Sequence, residues 1–150
     1  MPTTLNMYDL YRDAVSDPAR AAAIPGTLKA MITTAAYTPN QNTDEFVTTA
    51  IGSEVTGTGY TARGNACTSP TWTGPDGAGL LTFDANDPAT WTQNAAGFTN
   101  GRRVIVYYDT AVNGTSRLVA YSADFGADLS MVPADVAVQF NAAGIYTGPR

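Results

Sequence analysis

The chain has 150 residues, the length of one ordinary domain. Hydrophobic residues make up 44% of it, enough for one core, whereas charged residues make up only 14%, below the roughly 25% of average soluble domains. Eight basic against thirteen acidic residues give a net charge of −5, and histidine is absent. The composition argues against free-standing nucleic-acid binding, which depends on Lys and Arg, and it excludes histidine-based catalytic triads, dyads and the usual zinc sets.

Neither a membrane span nor a secretion signal is indicated by the sequence. No stretch approaches the roughly 18 consecutive apolar residues of a span, and residues 1–10 have neither the basic start nor the long apolar stretch of a signal peptide. We therefore expect synthesis in the cytoplasm and no membrane partner. The single cysteine, Cys67, cannot form an internal disulfide and so says nothing about the redox compartment.

Residues 4–17 are predicted to form a helix that begins with Thr4 as its N-cap and ends before Pro18. Such a face most often packs on its own domain, and the alternative is that it contacts another subunit. Residues 1–27 are therefore predicted to be a helical arm with its linker, and residues 28–150 a β domain. Four apolar residues recur at helical spacing and form one face of this helix: Leu5, Tyr8, Tyr11 and Val15.

The first strand of the β domain is predicted at residues 28–34. A short helix follows at residues 43–50, with Thr43 as its N-cap and two acidic residues in the first turn, where the helix dipole favours them. Beyond Gly52 the pattern alternates between strands and turns. Further strands are predicted at residues 65–73, 80–83, 103–108, 118–125, 136–140 and 144–147.

The most distinct of these strands contains the continuous apolar run of residues 104–108, which is typical of a strand covered on both faces. Residues 109–116 include Asn113-Gly114 and are predicted to form a hairpin loop after it. About six short strands at spacings of about ten residues, with one leading helix and one short helix, predict a mainly β fold. We expect a single antiparallel β-sandwich-like domain.

Three polar residues, Asp84, Asn86 and Asp87, lie together before a proline. Side chains of this kind usually bond nearby backbone in a turn, and the spacing of an EF-hand calcium loop is absent. A metal site and, less favoured, a carboxylate pair for glycoside hydrolysis stay open as minor alternatives. The glycines of residues 57–60 favour a tight turn over a phosphate-binding loop, because the GK[ST] ending is missing.

The remaining candidates also have structural interpretations. Cys67 is expected to be a buried, inert thiol, since nothing basic adjoins it in sequence. Arg102 and Arg103 begin a strand and favour a salt bridge or a solubility role, with an intersubunit contact as the alternative. Trp72 and Trp91 are expected in the core, with a sugar-binding platform or interface anchors as alternatives. We expect no catalytic residues, cofactor or metal.

Several segments occur together in a recognisable order: residues 29–39 (KAMITTAAYTP), 54–61 (EVTGTGYT), 83–87 (FDAND) followed by Trp91, 107–109 (YYD), 118–121 (LVAY), 124–126 (DFG) and 138–145 (VQFNAAGI). In this order the chain resembles a family of small virion structural proteins of tailed bacteriophages, which are described as head decoration, head fibre or minor tail proteins. The resemblance covers roughly residues 28–147. Family members usually have a Gly-Gly pair where this chain has Arg63-Gly64, and the N-terminal portion also differs.

The resemblance implies a capsid decoration (cement) protein on the capsid exterior of the virion. Its partner would be the outer surface of the major capsid protein lattice, which it would bind as a small homo-oligomer and stabilise. The negative net charge suits the outside of a particle better than its DNA-facing lumen. The alternative is a tail or fibre component that contacts the host surface. The candidate assembly interface, which comes from the residues and not from the family, is Leu5, Tyr8, Tyr11, Val15, Arg102 and Arg103.

Overall fold

The structure is a computed structural model, and it describes residues 4–7, 27–40, 43–44, 47–73, 77–111 and 117–149. Nearly all regular structure in these ranges is extended. β-branched and aromatic residues, which favour strands, make up all of residues 71–73 and 104–108. In chain order the elements are β1 (Thr4–Met7), β2 (Leu28–Thr33), α1 (Thr48–Ile51), β3 (Asn65–Cys67), β4 (Thr71–Thr73), β5 (Leu80–Asp84), β6 (Gly101–Ala111), β7 (Arg117–Leu129) and β8 (Tyr146–Pro149).

The strands form two sheets in which all pairs are antiparallel. The larger sheet has five strands in the order β1-β7-β6-β2-β3, and the smaller has three in the order β4-β5-β8. Phe83 of the smaller sheet belongs to the same buried cluster as Met31 and Ile105 of the larger one. The prediction of a mainly β, antiparallel fold is confirmed.

The centre of the larger sheet is the β2–β6 pair, with Leu28 opposite Tyr108 and Thr33 opposite Arg103. All five residues of the apolar run 104–108 are buried. The prediction that this strand is covered on both faces is therefore confirmed. The physical reason is that β6 has sheet neighbours on both sides and core packing around residues 104–108, so neither side-chain row of these residues reaches water.

The predicted N-terminal helix is not confirmed. Thr4–Met7 form an edge strand on β7, with Thr4 opposite Asp124 and Met7 opposite Tyr121. This pairing satisfies backbone groups along the edge of β7, and helical residues could not do so. Residues 8–26, which include Tyr8, Tyr11, Val15 and the linker, lie outside the described residues. The division of the chain at residue 28 stays a prediction.

The predicted short helix is shorter than expected and differs at its start. Helix α1 has four residues, its N-cap is Val47, and no side chain caps it. Thr43 is therefore not the cap, and the prediction was wrong at this point. Instead, the Asn40 N–H donates to Asp44 Oδ2 at 3.0 Å, because the carboxylate closes a turn here.

Two of the predicted strands do not form as single strands, while the bounds of several others differ from the prediction by a few residues. Residues 65–73 divide into β3 and β4, which belong to different sheets, because Ser69 has a φ of 53° and Pro70 has no N–H to donate. Residues 136–140 form only an isolated bridge, between Val136 and Trp91. The strand at the end of the described chain is β8, which begins at Tyr146.

The predicted hairpin after β6 agrees with the described strands. β6 and β7 pair as far as Ala111 opposite Arg117, and the loop residues 112–116 lie outside the described residues. In the described ranges, no helix has the length and apolar character needed to cross a membrane.

Candidate functional site

The two predicted interface arginines bind one carboxylate of their own chain. Arg102 Nε lies 2.8 Å from Asp124 Oδ1, and Arg103 Nη2 lies 3.1 Å from Asp124 Oδ2. Consecutive residues of a regular strand point to opposite faces, so this convergence needs an irregular backbone nearby. The salt-bridge interpretation of this pair is confirmed, while its use between subunits stays a prediction.

A bulge in β7 supplies that irregularity. Gly101 is opposite Leu129 and Arg103 is opposite Asp124, so four residues of β7, 125–128, lie opposite the single residue Arg102. β7 therefore has three extra residues here, and we call residues 125–128 the β7 bulge. Gly126 has a φ of +82°, which a side chain would oppose. Its N–H donates to Asp124 Oδ1 at 2.7 Å, and the same carboxylate that binds the arginines therefore also closes the bulge.

The electrostatics keep Asp124 charged. Burial acts to raise the pKa of this carboxyl, but the Gly126 N–H, the Arg102 hydrogen bond and the charges of both arginines together lower the pKa below its usual value. Asp128 in the β7 bulge is a weaker partner, since its Oδ1 lies 3.6 Å from Arg102 Nη1 and its side chain is 57% exposed, against 18% for Asp124.

Arg103 also connects the sheet to the turn that follows β2. Its Nη1 donates to the carbonyl oxygen of Tyr37 at 2.5 Å and approaches that of Ala35 at 3.4 Å. One guanidinium therefore joins three segments, namely β6, β7 and residues 35–37. Arginine suits this arrangement because its planar group carries several donors in fixed directions.

The second polar cluster surrounds Glu54. Its Oε1 accepts hydrogen bonds from the Tyr60 hydroxyl at 3.0 Å and from the Arg63 N–H, and its Oε2 pairs with Arg63 Nη1 at 3.2 Å. The Tyr60 hydroxyl in turn accepts the Ile32 N–H at 3.0 Å. Burial, the main cause, raises the pKa of Tyr60 far above its usual value. This cluster fixes residues 54–63 onto β2.

The glycine-containing segment inside this loop is a turn, as predicted. The Tyr60 N–H donates to the carbonyl oxygen of Gly57 at 3.2 Å, and Gly59 has a φ of +84°. Gly57 permits a close approach, because a Cβ there would lie 2.4 Å from the backbone nitrogen of Phe98.

The aromatic residues of this region belong to the core. The ring of Tyr60 stacks on Trp91 and meets Phe98 edge-on, each at a centroid distance of 5.7 Å. Trp91 is only 1% exposed, so the core interpretation is confirmed and Trp91 is not an exposed platform for a sugar. Trp72 lies in β4, and its side chain is outside the described part of the structure.

The polar residues before Pro88 all serve the backbone or a neighbouring loop. Asp84 Oδ1 accepts the Ala85 N–H at 2.9 Å, and Asp87 Oδ1 accepts the Phe140 N–H at 2.7 Å. Asn86 Nδ2 donates to Thr68 Oγ1 at 2.9 Å. These bonds support the turn interpretation. Within the described ranges, no group of three or more His, Cys, Asp or Glu residues is placed to hold a metal ion.

Cys67 is buried on β3 with 2% exposure. Burial, with a smaller contribution from the charge of Asp87, raises the pKa of the thiol to about 12. Because the thiolate is the reactive form, this agrees with the prediction of a buried, inert cysteine.

The described cations are neutralised within the chain. Lys29 Nζ lies 2.7 Å from Asp109 Oδ2, and the other three described basic side chains bind Glu54, Asp124 and Asp128 as given above. A further carboxylate, Asp135, accepts the Gln93 N–H at 2.7 Å. These charged side chains are therefore held in place by intramolecular bonds.

The structure places part of the predicted interface in one region. Thr4 is opposite Asp124, and Asp124 is opposite Arg103, so β1 and the arginine pair lie on the same stretch of β7. Leu5 is in β1, opposite Ala123, but its side chain lies outside the described part of the structure. Tyr8, Tyr11 and Val15 lie outside the described residues. Sequence reasoning missed Asp124, although the Asp-x-Gly pattern of residues 124–126 is a turn signal that could have indicated it.

Comparison with family models, with curated proteins and with solved structures gives no match to this chain.

Proposed function

We propose that this protein is a structural component of a bacteriophage virion, namely a capsid decoration (cement) protein. It binds the outer surface of the major capsid protein lattice as a small homo-oligomer. Binding adds buried interface across neighbouring capsid subunits and stabilises the assembled state by mass action, since the protein binds that state preferentially. The ordered segments between residues 29 and 145 that resemble small virion proteins support this proposal.

The observation that carries the proposal is that charged side chains link separate segments of the chain to one another. Arg103 joins β6, β7 and the turn after β2, while Glu54 fixes residues 54–63 onto β2. A surface held in this way keeps its shape when it binds, and little side-chain freedom remains to be lost at an interface. Such a surface suits a protein that acts through shape and contact area.

The acidic balance supports an external position on the particle. The chain has thirteen acidic and eight basic residues, and the four described cations already have carboxylate partners. Packaged DNA repels such a surface, whereas the capsid exterior imposes no such cost. The sandwich-like packing of the two sheets also belongs to the proposal, as does the expectation that the N-terminal arm, residues 1–17, carries capsid contacts.

Copy number is the first test of this proposal. Quantitative mass spectrometry of purified particles should find hundreds of copies, because decoration follows the repeating capsid lattice. A count in the single digits or teens would contradict the decoration role and would support the alternative of a tail or fibre component that contacts the host surface.

A binding experiment tests the arm. Deletion of residues 1–17 should leave a domain that unfolds cooperatively but no longer sediments with undecorated capsids. The matched control is Thr99→Ala, a substitution at an exposed loop position, which should bind as the unaltered chain does. Undiminished binding by the deletion variant would refute attachment through the arm.

A further inference from the structure

The edge strand β1 is separated in the larger sheet from β2, the strand that follows it in the described chain. It pairs with β7 through Thr4–Met7, and within the sheet order β7 is its only neighbour. The next described strand in the chain is β2, which lies on the far side of both β7 and β6. The first strand of the chain is therefore not adjacent to the second, and residues 8–27 connect them.

The register shows how far this connection must reach. Met7 is opposite Tyr121, Tyr121 is opposite Val106, and Val106 is opposite Ala30. These four residues form one row across the sheet, and the antiparallel pairing brings the end of β1 and the start of β2 to the same end of it. Three strand spacings separate them, which amounts to about 14 Å.

The connection is far longer than this distance requires. Residues 8–27 number about 20, and a chain of that length can span up to about 66 Å when extended. The same connection can therefore place β1 on the β7 of its own chain or on the β7 of an adjacent copy. Both placements form the same backbone hydrogen bonds in the same register, because the two sheets are identical.

The β7 edge is covered by β1, which is held there by a single strand pair. Tyr121, Ser122 and Ala123, which β1 covers, are all buried. Removal of β1 would expose the backbone groups of this edge, which natural sheets avoid. Release of a four-residue edge strand leaves the β7–β6–β2–β3 pairing intact, so it costs much less than global unfolding.

We propose that β1 is an exchangeable strand: in the assembled protein, Thr4–Met7 of one copy pair with β7 of a second copy of this chain. Exchange of an identical element is a low-cost route to a homo-oligomer, since it replaces each lost contact with the same contact. The exchange goes beyond the proposed function and does not depend on it. On a lattice it is favoured further, because neighbouring copies have a high effective concentration.

Cysteines at the β1–β7 register test the exchange directly. Asn6 is opposite Ser122, and directly paired strand residues have Cα separations that a disulfide can bridge. One full-length chain carries Asn6→Cys and a size tag, the other carries Ser122→Cys, and both carry Cys67→Ala to remove the native thiol. The two chains are mixed at increasing concentration, incubated and then oxidised. A disulfide between them can form efficiently only when β1 of one copy lies on β7 of the other.

We expect a heterodimer band on a non-reducing gel that grows with concentration and disappears on reduction. The matched control mixes the Asn6→Cys chain with a Thr99→Cys chain, whose cysteine lies in an exposed loop, and should give only background. A heterodimer yield equal to this control at the highest concentration would overturn the proposal. Leu5→Cys with Ala123→Cys, the adjacent pair in the register, repeats the test if the first pair impairs folding.

This result is independent of the capsid. Crosslinking in solution without binding to capsids would support the exchange and contradict the decoration role. The opposite outcome uses a chain that carries both Asn6→Cys and Ser122→Cys. If this chain binds capsids but forms only the disulfide within itself at every concentration, the decoration role is supported and the exchange is overturned.

Discussion

Replacement of Asp124 by Asn should destabilise the fold measurably, because this carboxylate binds two arginines and closes the β7 bulge. Asparagine keeps an oxygen that can accept the Gly126 N–H, but it removes the negative charge between Arg102 and Arg103. Hydrogen bonds to charged groups contribute about 1.5–3 kcal/mol each, whereas exposed ion pairs contribute about 0–1 kcal/mol. With a side chain 18% exposed, Asp124 lies between these cases, and we expect a loss of about 2 kcal/mol in the free energy of unfolding.

Urea unfolding followed by circular dichroism measures this loss, and Asp128→Asn is the matched control. Asp128 is on the same strand and contacts Arg102, but it is 57% exposed and 3.6 Å away, so its loss should cost less than about 0.5 kcal/mol. Equal effects of the two substitutions would refute the argument, since it depends on the convergence of both arginines on Asp124.

The same residue predicts a pH dependence. The pKa of Asp124 is lowered in the folded state, so its contribution to stability is present above the unfolded-state value of about 3.9 and is lost as pH falls through the lower folded-state pKa. Between pH 5 and pH 2, Asp124→Asn should therefore lose less stability than the unaltered chain. If the free energy of unfolding falls with pH equally in the variant and the unaltered chain, other carboxylates account for the acid sensitivity.

Three further predictions use the same unfolding assays or a thiol assay. Gly64→Ala should lower the free energy of unfolding by more than about 3 kcal/mol or prevent folding, whereas Gly79→Ala should lower it by about 1 kcal/mol. Both glycines have a φ of +77°, but only at Gly64 would a Cβ meet backbone, at 1.9 Å. Similar losses in the two variants would refute this reasoning. Tyr60→Phe should cost about 2 kcal/mol in urea unfolding because it leaves the Ile32 N–H without its acceptor, and a neutral result would show that this bond is dispensable. In the native protein at pH 8, Cys67 should react with a thiol reagent far more slowly than in urea, since burial raises the pKa of the thiol to about 12; equal rates would contradict its burial.

Local patterns were sufficient for the most strongly patterned strands. The apolar run of residues 104–108 predicted a strand covered on both faces, and β6 has that environment. Residues 28–34 likewise predicted β2 to within one residue. Segments this apolar would be buried in nearly any compact fold. Their secondary structure could therefore be predicted before their partners in the sheet were known.

The site residues were less predictable because their partners are distant in sequence. That Arg102 and Arg103 share Asp124 depends on the β6–β7 register and its bulge, and no local pattern of residues 102–103 specifies either. For the same reason the helical spacing within residues 4–17 did not predict that Thr4–Met7 form a strand. Four residues can satisfy either periodicity, and the open edge of β7 decides between them.

The sequence by itself determined the class of fold, the acidic balance and the type of the two central strands, because composition and side-chain period are local properties. The tertiary structure alone decided that residues 65–73 divide between two sheets, that residues 136–140 pair only at Val136, and that β1 lies on β7. Each of these outcomes depends on which backbone groups find a partner far along the chain, and such partners are chosen by the packing of the whole domain.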